Sequence, residues 1–251
     1  MKPFLPLLIA ATLAAACSHK EMTLMTYNVG VFSKYQESSL PEVARLILHS
    51  EAAAVALNEL DSCNRRHNTF QLKELSDSLG AWDFHFASAF PFAGGAYGNG
   101  VASREKVLRS YTIGLPRADG AEPRSAAVVE TASCVLAAVH LDHVSENARL
   151  EQVRVLNGWF EARYLASRKP VFLCGDLNDP PESATLPAVL QEWELLSGIA
   201  PTHPANDPQG CIDYILRYRK SAPVKVLSSK VLTEGTQELS DHCPILLRVR
   251  L

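Results

Sequence analysis

The chain has 251 residues, of which 47% are hydrophobic and 20% charged, as in ordinary globular proteins. A chain of this length can bury a large core and does not need disulfides to hold it. The formal net charge of −3 does not indicate a broad basic surface of the kind that binds nucleic acid. An anionic ligand would therefore have to be attracted locally.

An apolar segment near the N-terminus, residues 4–16, follows Lys2 and precedes Cys17. It is too short for a confident membrane span and predicts a signal peptide over residues 1–17. The small residues before Cys17 resemble a bacterial lipoprotein signal, in which this cysteine is lipidated, although Leu13 lies four residues before it instead of three. The alternative is an ordinary cleaved signal with an incidental cysteine. Both interpretations place the mature protein outside the cytoplasm, and the first anchors it to a membrane.

Apolar runs and amphipathic segments alternate from Met22 onward. The apolar runs predict strands at Met22–Val29, Ala53–Leu60, Gly100–Ser103, Ala126–Thr131, Val135–Leu141, Pro170–Gly175, Cys211–Tyr218 and Pro244–Leu251. Helical spacing predicts helices at Leu40–Ser50, Phe70–Leu79 and Ser145–Ala166, with Ser145 as an N-cap. Residues 91–100, 115–125 and 178–183 are rich in turn formers and predict loops. The pattern is typical of one α/β domain of stacked sheets flanked by helices, here residues 22–251.

Five cysteines remain after Cys17, so at least one of them is unpaired. Cys134 and Cys174 lie in apolar runs and are most simply small core residues. A Cys211–Cys243 bridge is open. None of the cysteines has the spacing of a zinc site.

Polar side chains recur where the apolar runs end. They are Asn28, Glu59, His140, Asp142, Asp176, Asn178, Asp213, Asp241 and His242. Each one alone has an ordinary explanation, such as a turn, a helix cap or a structural histidine. Buried carboxylates are costly unless they are paired, hydrogen-bonded or metal-bound, so their joint occurrence favours a functional site.

Seven segments carry a family resemblance: TYNVG, LNELD, YGNG, VHLDH, CGDLND, CIDYI and SDHCPI. In this order, over the whole mature chain, they resemble the endonuclease/exonuclease/phosphatase superfamily, and GDLN and SDHCPI are the most specific. The resemblance implies a four-layer α/β/β/α sandwich of two packed mixed sheets flanked by helices. It also implies a Mg²⁺-dependent phosphoesterase, with Mn²⁺ as a substitute, and the N-terminal segment would place this enzyme outside the cytoplasm. We expect a diester substrate in preference to a monoester.

By this resemblance, Glu59 is the main metal ligand, with Asn28 and Asp241 close to it. Asp176 orients or deprotonates the attacking water, and Asn178 holds the phosphate in line. A hard cation such as Mg²⁺ prefers one or two carboxylates and retains several waters, which suits this donor set.

The remaining catalytic assignments concern two histidines. Asp213 would accept a hydrogen bond from His242, which fixes the tautomer and favours an imidazolium that donates to the phosphate. His140 would be a second contact to the phosphate or leaving group. Substrate contacts are also expected from Asn99, Asp142 and Arg149, although Arg149 could instead support His140 or be solvated.

Two features leave alternatives open. Many members have Gln-Glu in the second motif where this chain has Asn58-Glu59, which concerns a supporting contact. The loop at residues 90–100 could let backbone approach a ligand, or it could be a flexible hairpin.

The substrate class is also open. A nuclease would use basic residues such as Arg65 and Arg66, and a sphingomyelinase-like enzyme would use rim aromatics such as Phe90 and Phe92. A catalytically inactive binding lipoprotein is the alternative of another class, and it should have lost one of the main site residues. We expect a monomer, and the charge does not indicate a nucleic-acid partner.

Overall fold

The structure is a computed structural model that describes residues 20–251. The predicted signal peptide and Cys17 lie outside the described residues. Within residues 20–251, no helix is long and apolar enough to cross a membrane.

The described residues form two mixed sheets of six strands each. The strands are β1 (Glu21–Asn28), β2 (Ala54–Ser62), β3 (Asp83–Phe92), β4 (Gly95–Ser103), β5 (Arg109–Leu115), β6 (Arg124–Glu130), β7 (Val135–His140), β8 (Val171–Asp176), β9 (Trp193–Leu195), β10 (Asp213–Tyr218), β11 (Lys225–Val231) and β12 (Ile245–Arg250). The first sheet has the order β11-β12-β1-β2-β4-β3, and the second has the order β5-β6-β7-β8-β10-β9.

Four α-helices are present in the described part of the chain: α1 (Leu40–His49), α2 (Gln71–Ser78), α3 (Glu146–Tyr164) and α4 (Thr185–Leu190). The three predicted helices are confirmed within two residues at each end. Ser145 is the N-cap of α3, as predicted, because its Oγ accepts a hydrogen bond of 3.3 Å from the amide of Ala148.

Three apolar layers hold these elements together. The layer between the sheets contains Leu24, Leu136 and Ile215. The outer face of the first sheet packs against α1 and α2, and that of the second packs against α3 and α4. Burying both faces of each sheet produces the predicted four-layer α/β/β/α sandwich, which is confirmed.

The direction of the central strands determines where the polar strand ends meet. β1 and β2 are parallel, and so are β7 and β8, so each pair ends at one edge of its sheet. β12 and β10 run antiparallel to β1 and β8 and therefore begin at that edge. Asp213, the first residue of β10, pairs directly with Asp176, the last residue of β8.

The structure corrects several sequence predictions. The strands β3, β5, β9 and β11 and the short helix α4 were not predicted. The predicted loop over residues 91–100 is mostly the hairpin of β3 and β4, turning at Ala93 and Gly94. The five cysteines of the described residues are free, so Cys211 and Cys243 form no bridge.

Candidate active site

The site is a cleft of about 360 Å³ at the edge where the central strands of both sheets end. The residues that line it are Glu59, Arg66, Phe90, Phe92, Tyr97, Glu122, Arg124, His140, His143, Asp176, Asn178 and His242. Five of the predicted site residues, from four different segments, are therefore brought together, although up to 183 positions separate them in the sequence.

Glu59 reaches the cleft through an irregularity in β2. The pairing of β2 with β4 shifts between Leu57 and Leu60, and Glu59 has a positive φ of 56°. Its Oε1 accepts a hydrogen bond of 3.2 Å from Asn28 Nδ2. Glu59 has no other hydrogen-bond partner among the described residues, so its carboxylate remains available to a ligand.

Asn28 lies between the two sheets and is 1% exposed. Its Nδ2 donates to Glu59 and, at 3.2 Å, to Asp176 Oδ2, while its Oδ1 accepts from the amide of Gly30 at 3.1 Å. An amide nitrogen cannot bind a metal ion, and the oxygen faces Gly30. In this orientation Asn28 positions two carboxylates, which differs from its predicted role as a ligand.

Asp176 lines the cleft and is 1% exposed. Its Oδ2 lies 3.5 Å from His140 Nε2 and 3.7 Å from His242 Nε2, and its Oδ1 accepts from the amide of Asn178 at 2.7 Å. Burial and the neighbouring charge of Asp213 raise the pKa of Asp176 to about 7. A pKa near neutral pH suits a general base, because the ionised carboxylate is then available to accept a proton.

Gly175 permits the close approach of strands on which this arrangement depends. A side-chain Cβ at this position would lie 1.9 Å from the carbonyl oxygen of Val139 and 3.0 Å from Asn58 Oδ1. Asn58 Oδ1 accepts from the amide of Asp176 at 3.1 Å, and its Nδ2 donates to Val139 O at 2.9 Å. Asn58 therefore bridges the two sheets directly behind Asp176.

His242 forms the predicted pair with Asp213, since their Nδ1 and Oδ2 atoms lie 2.9 Å apart. Thr202 Oγ1 donates to the same Oδ2 at 2.6 Å. Burial disfavours the imidazolium, but the charge and hydrogen bond of Asp213, together with the charges of Asp176 and Asp241, outweigh burial and raise the pKa of His242 to about 10. His242 is therefore a cation with a proton on Nε2 that faces the cleft.

His140 has the opposite protonation state. Arg124 Nη1 lies 3.5 Å from His140 Nδ1, and a guanidinium can only donate, so Nδ1 accepts and the proton is on Nε2. Burial and the charge of Arg124 lower the pKa of His140 well below its ordinary value. His140 is thus a neutral imidazole whose Nε2–H points towards Asp176.

Of the two remaining predicted catalytic or metal-binding residues, Asn178 lines the cleft and Asp241 does not. The Nδ2 of Asn178 donates to the carbonyl of Leu141 at 3.0 Å. Asp241 makes an ion pair of 2.8 Å with Lys34 and lies beside His203 and His242. Burial opposes ionisation of Asp241, but the hydrogen bond from Lys34 and the charges of His242 and Lys34 together outweigh burial and lower the pKa of Asp241.

Asn99, Asp142 and Arg149 do not line the cleft, which differs from the predicted substrate contacts. Asn99 bonds Asn58 and the carbonyl of Ser125. Asp142 Oδ1 accepts from two backbone amides in the turn before α3. Arg149 donates to Asp179 at 2.9 Å and to the carbonyl of Asp142. Their polar atoms are used inside the protein, so they support the loops around the cleft.

The sequence interpretation missed Arg124, Glu122 and Tyr97 as cleft residues, and it assigned no role to His143. Arg66, Phe90 and Phe92 were considered only as contacts for particular substrates. Arg124 precedes an apolar strand, and polar residues at strand ends were the signal that identified the other site residues. That signal was applied to acids, amides and histidines and not to arginine.

The cleft could hold a divalent metal ion. Glu59 offers a carboxylate that faces the cleft, and the carboxylate of Asp176, which Asn28 links to it, lies in the same cleft. Hard oxygen donors of this kind, few in number, suit Mg²⁺ or Mn²⁺.

Solved structures of the same fold are numerous. An endonuclease/exonuclease/phosphatase from Beutenbergia cavernae DSM 12333 has a TM-score of 0.74 and 21% identity, over 93% of this chain and 72% of the other. A mannosyl-6-phosphatase from Bacteroides thetaiotaomicron VPI-5482 has a TM-score of 0.75 and 16% identity, over 91% and 99%. ANGEL2, a 2′,3′-cyclic phosphatase, has a TM-score of 0.68 and 14% identity, over 94% and 96%.

No curated protein matches this chain. The sequence profile of the Endonuclease/Exonuclease/phosphatase family matches residues 25–242, which is most of the chain and includes every cleft residue. The chain therefore belongs to the endonuclease/exonuclease/phosphatase family.

Proposed function

We propose that this protein hydrolyses a phosphate ester by direct attack of water, with the help of a divalent metal ion. The observation that carries the proposal is the environment of Asp176 Oδ2. A neutral His140 and a cationic His242 lie 3.5 and 3.7 Å from this atom, and Asn28 links it to Glu59. Hydrolysis of a phosphate ester needs these groups together: a base, donors to the phosphoryl oxygens and an acidic metal ligand.

Asp176 accepts a proton from the attacking water, whose oxygen then forms a bond to phosphorus. The bond from phosphorus to the ester oxygen breaks on the opposite side, and the leaving alcohol takes up a proton. Nε2–H of His242 donates to a phosphoryl oxygen, and Nε2–H of His140 contacts the phosphate or the leaving group. Asp213 keeps His242 charged throughout.

Glu59 is the residue best placed to hold Mg²⁺ or Mn²⁺, with Asp241 nearby if Lys34 releases it. When bound, such an ion supplies positive charge to the phosphoryl oxygens. The preference for Mg²⁺ comes from the oxygen donors, which also accept Mn²⁺.

The relatives do not determine the substrate. Those of the same fold include a mannosyl-6-phosphatase and a 2′,3′-cyclic phosphatase, which differ in substrate. The preference for a diester over a monoester stays a prediction from the sequence, as do nuclease and sphingomyelinase-like activities. An inactive binding protein is disfavoured because Glu59, Asp176, Asp213 and His242 are all retained.

We also propose that the protein acts outside the cytoplasm as a lipoprotein anchored through Cys17. The support is the apolar segment at residues 4–16 with small residues before this cysteine. Palmitate labelling in a bacterial host should depend on Cys17, and labelling unaffected by Cys17→Ala would exclude this anchor. The expectation of a monomer is tested by light scattering of the mature chain.

The activity is tested with bis-p-nitrophenyl phosphate, p-nitrophenyl phosphate, plasmid DNA, sphingomyelin and sugar phosphates. EDTA should abolish turnover, and Mg²⁺ or Mn²⁺ should restore it. Asp176→Asn should reduce turnover by roughly 100-fold or more because it removes the base. Undiminished activity of this variant would refute the role of Asp176, and absence of turnover on every substrate and metal would refute the hydrolase.

A further inference from the structure

Two guanidinium groups line the cleft beside the proposed catalytic residues. Arg124 is the more deeply placed of them, with a side chain that is only 3% exposed. Its Nη2 donates to His143 Nδ1 at 3.0 Å, and its Nη1 lies 3.5 Å from His140 and 3.4 Å from Glu122. Its Nε has no hydrogen-bond partner within residues 20–251. A buried, unpaired donor on a permanent cation is costly. This nitrogen is shielded from solvent, so a ligand in the cleft would meet the charge of the guanidinium group and not the Nε atom itself.

Arg66 is held in place by residues behind the cleft. Its Nε and Nη2 donate to the two oxygens of Asp61 at 2.7 and 2.8 Å, and Asp61 is fully buried. Its guanidinium lies 4.7 Å from the ring centre of Phe92. Among the described residues, no hydrogen-bond partner occupies its Nη1. The Asp61 carboxylate thus fixes one edge of the Arg66 guanidinium, and the Phe92 ring covers one of its faces. The edge that carries Nη1 stays free for a ligand.

The charge of the substrate phosphate distinguishes two classes of ester. A phosphate monoester is mostly a dianion at neutral pH and has three terminal oxygens, whereas a diester is a monoanion with two. His140, His242 and a metal ion already provide enough contacts for the two terminal oxygens of a diester phosphate. Two further guanidinium groups suit a third oxygen and a second negative charge.

We propose that Arg124 and Arg66 form a cationic wall that selects small phosphate monoesters over diesters. This inference rests on the proposed function and departs from the diester preference expected from the sequence. Hydrolysis then adds one water, breaks the ester P–O bond, and releases an alcohol and inorganic phosphate.

The size and the apolar wall of the cleft agree with a small substrate. Its volume of about 360 Å³ is in the range of small-molecule pockets. Phe90, Phe92 and Tyr97 of the β3–β4 hairpin form one cluster, with the Phe90 ring centred 6.1 Å from Phe92 and 5.4 Å from Tyr97. These rings give the ring or carbon skeleton of a leaving group an apolar surface to contact.

The test compares p-nitrophenyl phosphate with bis-p-nitrophenyl phosphate, which have the same leaving group. We measure kcat/KM for both substrates with Mg²⁺ in wild type, Arg124→Gln, Arg124→Lys and Arg66→Gln. Arg65→Gln is the matched control, because Arg65 is an exposed neighbouring arginine that does not line the cleft. The ratio of the two kcat/KM values is the readout, since a loss of folded protein lowers both values equally and leaves the ratio unchanged.

Wild type and the Arg65 variant should prefer the monoester. Arg124→Gln should lower the ratio of monoester to diester by roughly 10- to 100-fold, the effect of a lost hydrogen bond to a charged group. Arg66→Gln should lower this ratio by less, because Arg66 is more exposed, and Arg124→Lys should restore part of it.

Equal losses on both substrates would overturn the inference, because Arg124 would then act only by positioning His140. A wild-type preference for the diester would also overturn it, and either result leaves the proposed hydrolase intact. Absence of turnover on both substrates, with any metal, would instead refute the proposed function and this inference with it.

Discussion

Gly175→Ala tests whether the catalytic carboxylate depends on contact between two backbones. Gly175 has a φ of 139°, and an added Cβ would lie 1.9 Å from the carbonyl oxygen of Val139 on the neighbouring strand β7. Cβ atoms essentially never come closer than 3.0 Å to such an atom, so β7 and β8 would have to separate by about 1 Å. The hydrogen bond from the Asp176 amide to Asn58 lies at the same point.

Two costs determine the expected magnitude. Overpacking of a rigid backbone contact costs about 1–3 kcal/mol, and a side chain at an unfavourable positive φ costs a further 1–3 kcal/mol, roughly. We expect the free energy of unfolding to fall by about 2–6 kcal/mol. A displacement of about 1 Å at Asp176 should also lower kcat by roughly 100-fold in the protein that remains folded.

Urea unfolding followed by circular dichroism measures the first effect, and kcat at saturating substrate measures the second. Gly158→Ala is the matched control: Gly158 lies in α3, and an added Cβ there meets nothing within 4 Å. That variant should be more stable than wild type by about 0.5–1 kcal/mol and fully active. If Gly175→Ala unfolded at the same urea concentration as wild type, this result would refute the close approach of β7 and β8 at Gly175.

Two further variants test the electrostatics through the pH dependence of stability. Burial and Asp213 raise the pKa of Asp176 to about 7, so the ionised form costs stability that increases as pH rises from about 4 to 7. In EDTA, the free energy of unfolding of Asp176→Asn relative to wild type should therefore rise by about 1–3 kcal/mol between pH 4 and pH 8. Urea unfolding that gave the same difference between the two proteins at both pH values would contradict this. Asp61 is buried, which opposes ionisation, but its bonds from Arg66 and His67 prevail and lower its pKa. Its ionised form contributes stability above pH 4 that is lost in acid, so Asp61→Asn should cost about 1–3 kcal/mol at pH 7 and less at pH 3, as measured by urea unfolding.

The sequence determined the central strands because these strands are buried on both faces. Continuous apolar runs such as Val135–His140 and Val171–Asp176 predict buried strands even when the neighbouring strands are unknown. The strands that were missed, β3, β5, β9 and β11, are the four edge strands of the two sheets. Edge strands carry exposed and polar residues, as in Lys225–Val231, so they resemble loops in the sequence.

The same reasoning explains which site residues were predictable. Acids and histidines at the ends of buried strands stand out, because a polar group there needs a reason, and the central strands of both sheets end at one edge. Asp142 shares this signal, yet its Oδ1 accepts hydrogen bonds from two backbone amides inside the protein. Sequence position does not distinguish a polar atom that is satisfied by the protein from one that remains available to a ligand.

The cationic wall was decided by the tertiary structure alone. Arg66 and Arg124 are 58 positions apart in the sequence, and each resembles a surface arginine next to a strand or loop. They line one cleft only because Asp61 and Phe92 hold Arg66 in place and because β6 begins beside His140. The order of residues thus determined the fold class and the acidic centre through burial, while packing across the two sheets decided which charges surround that centre.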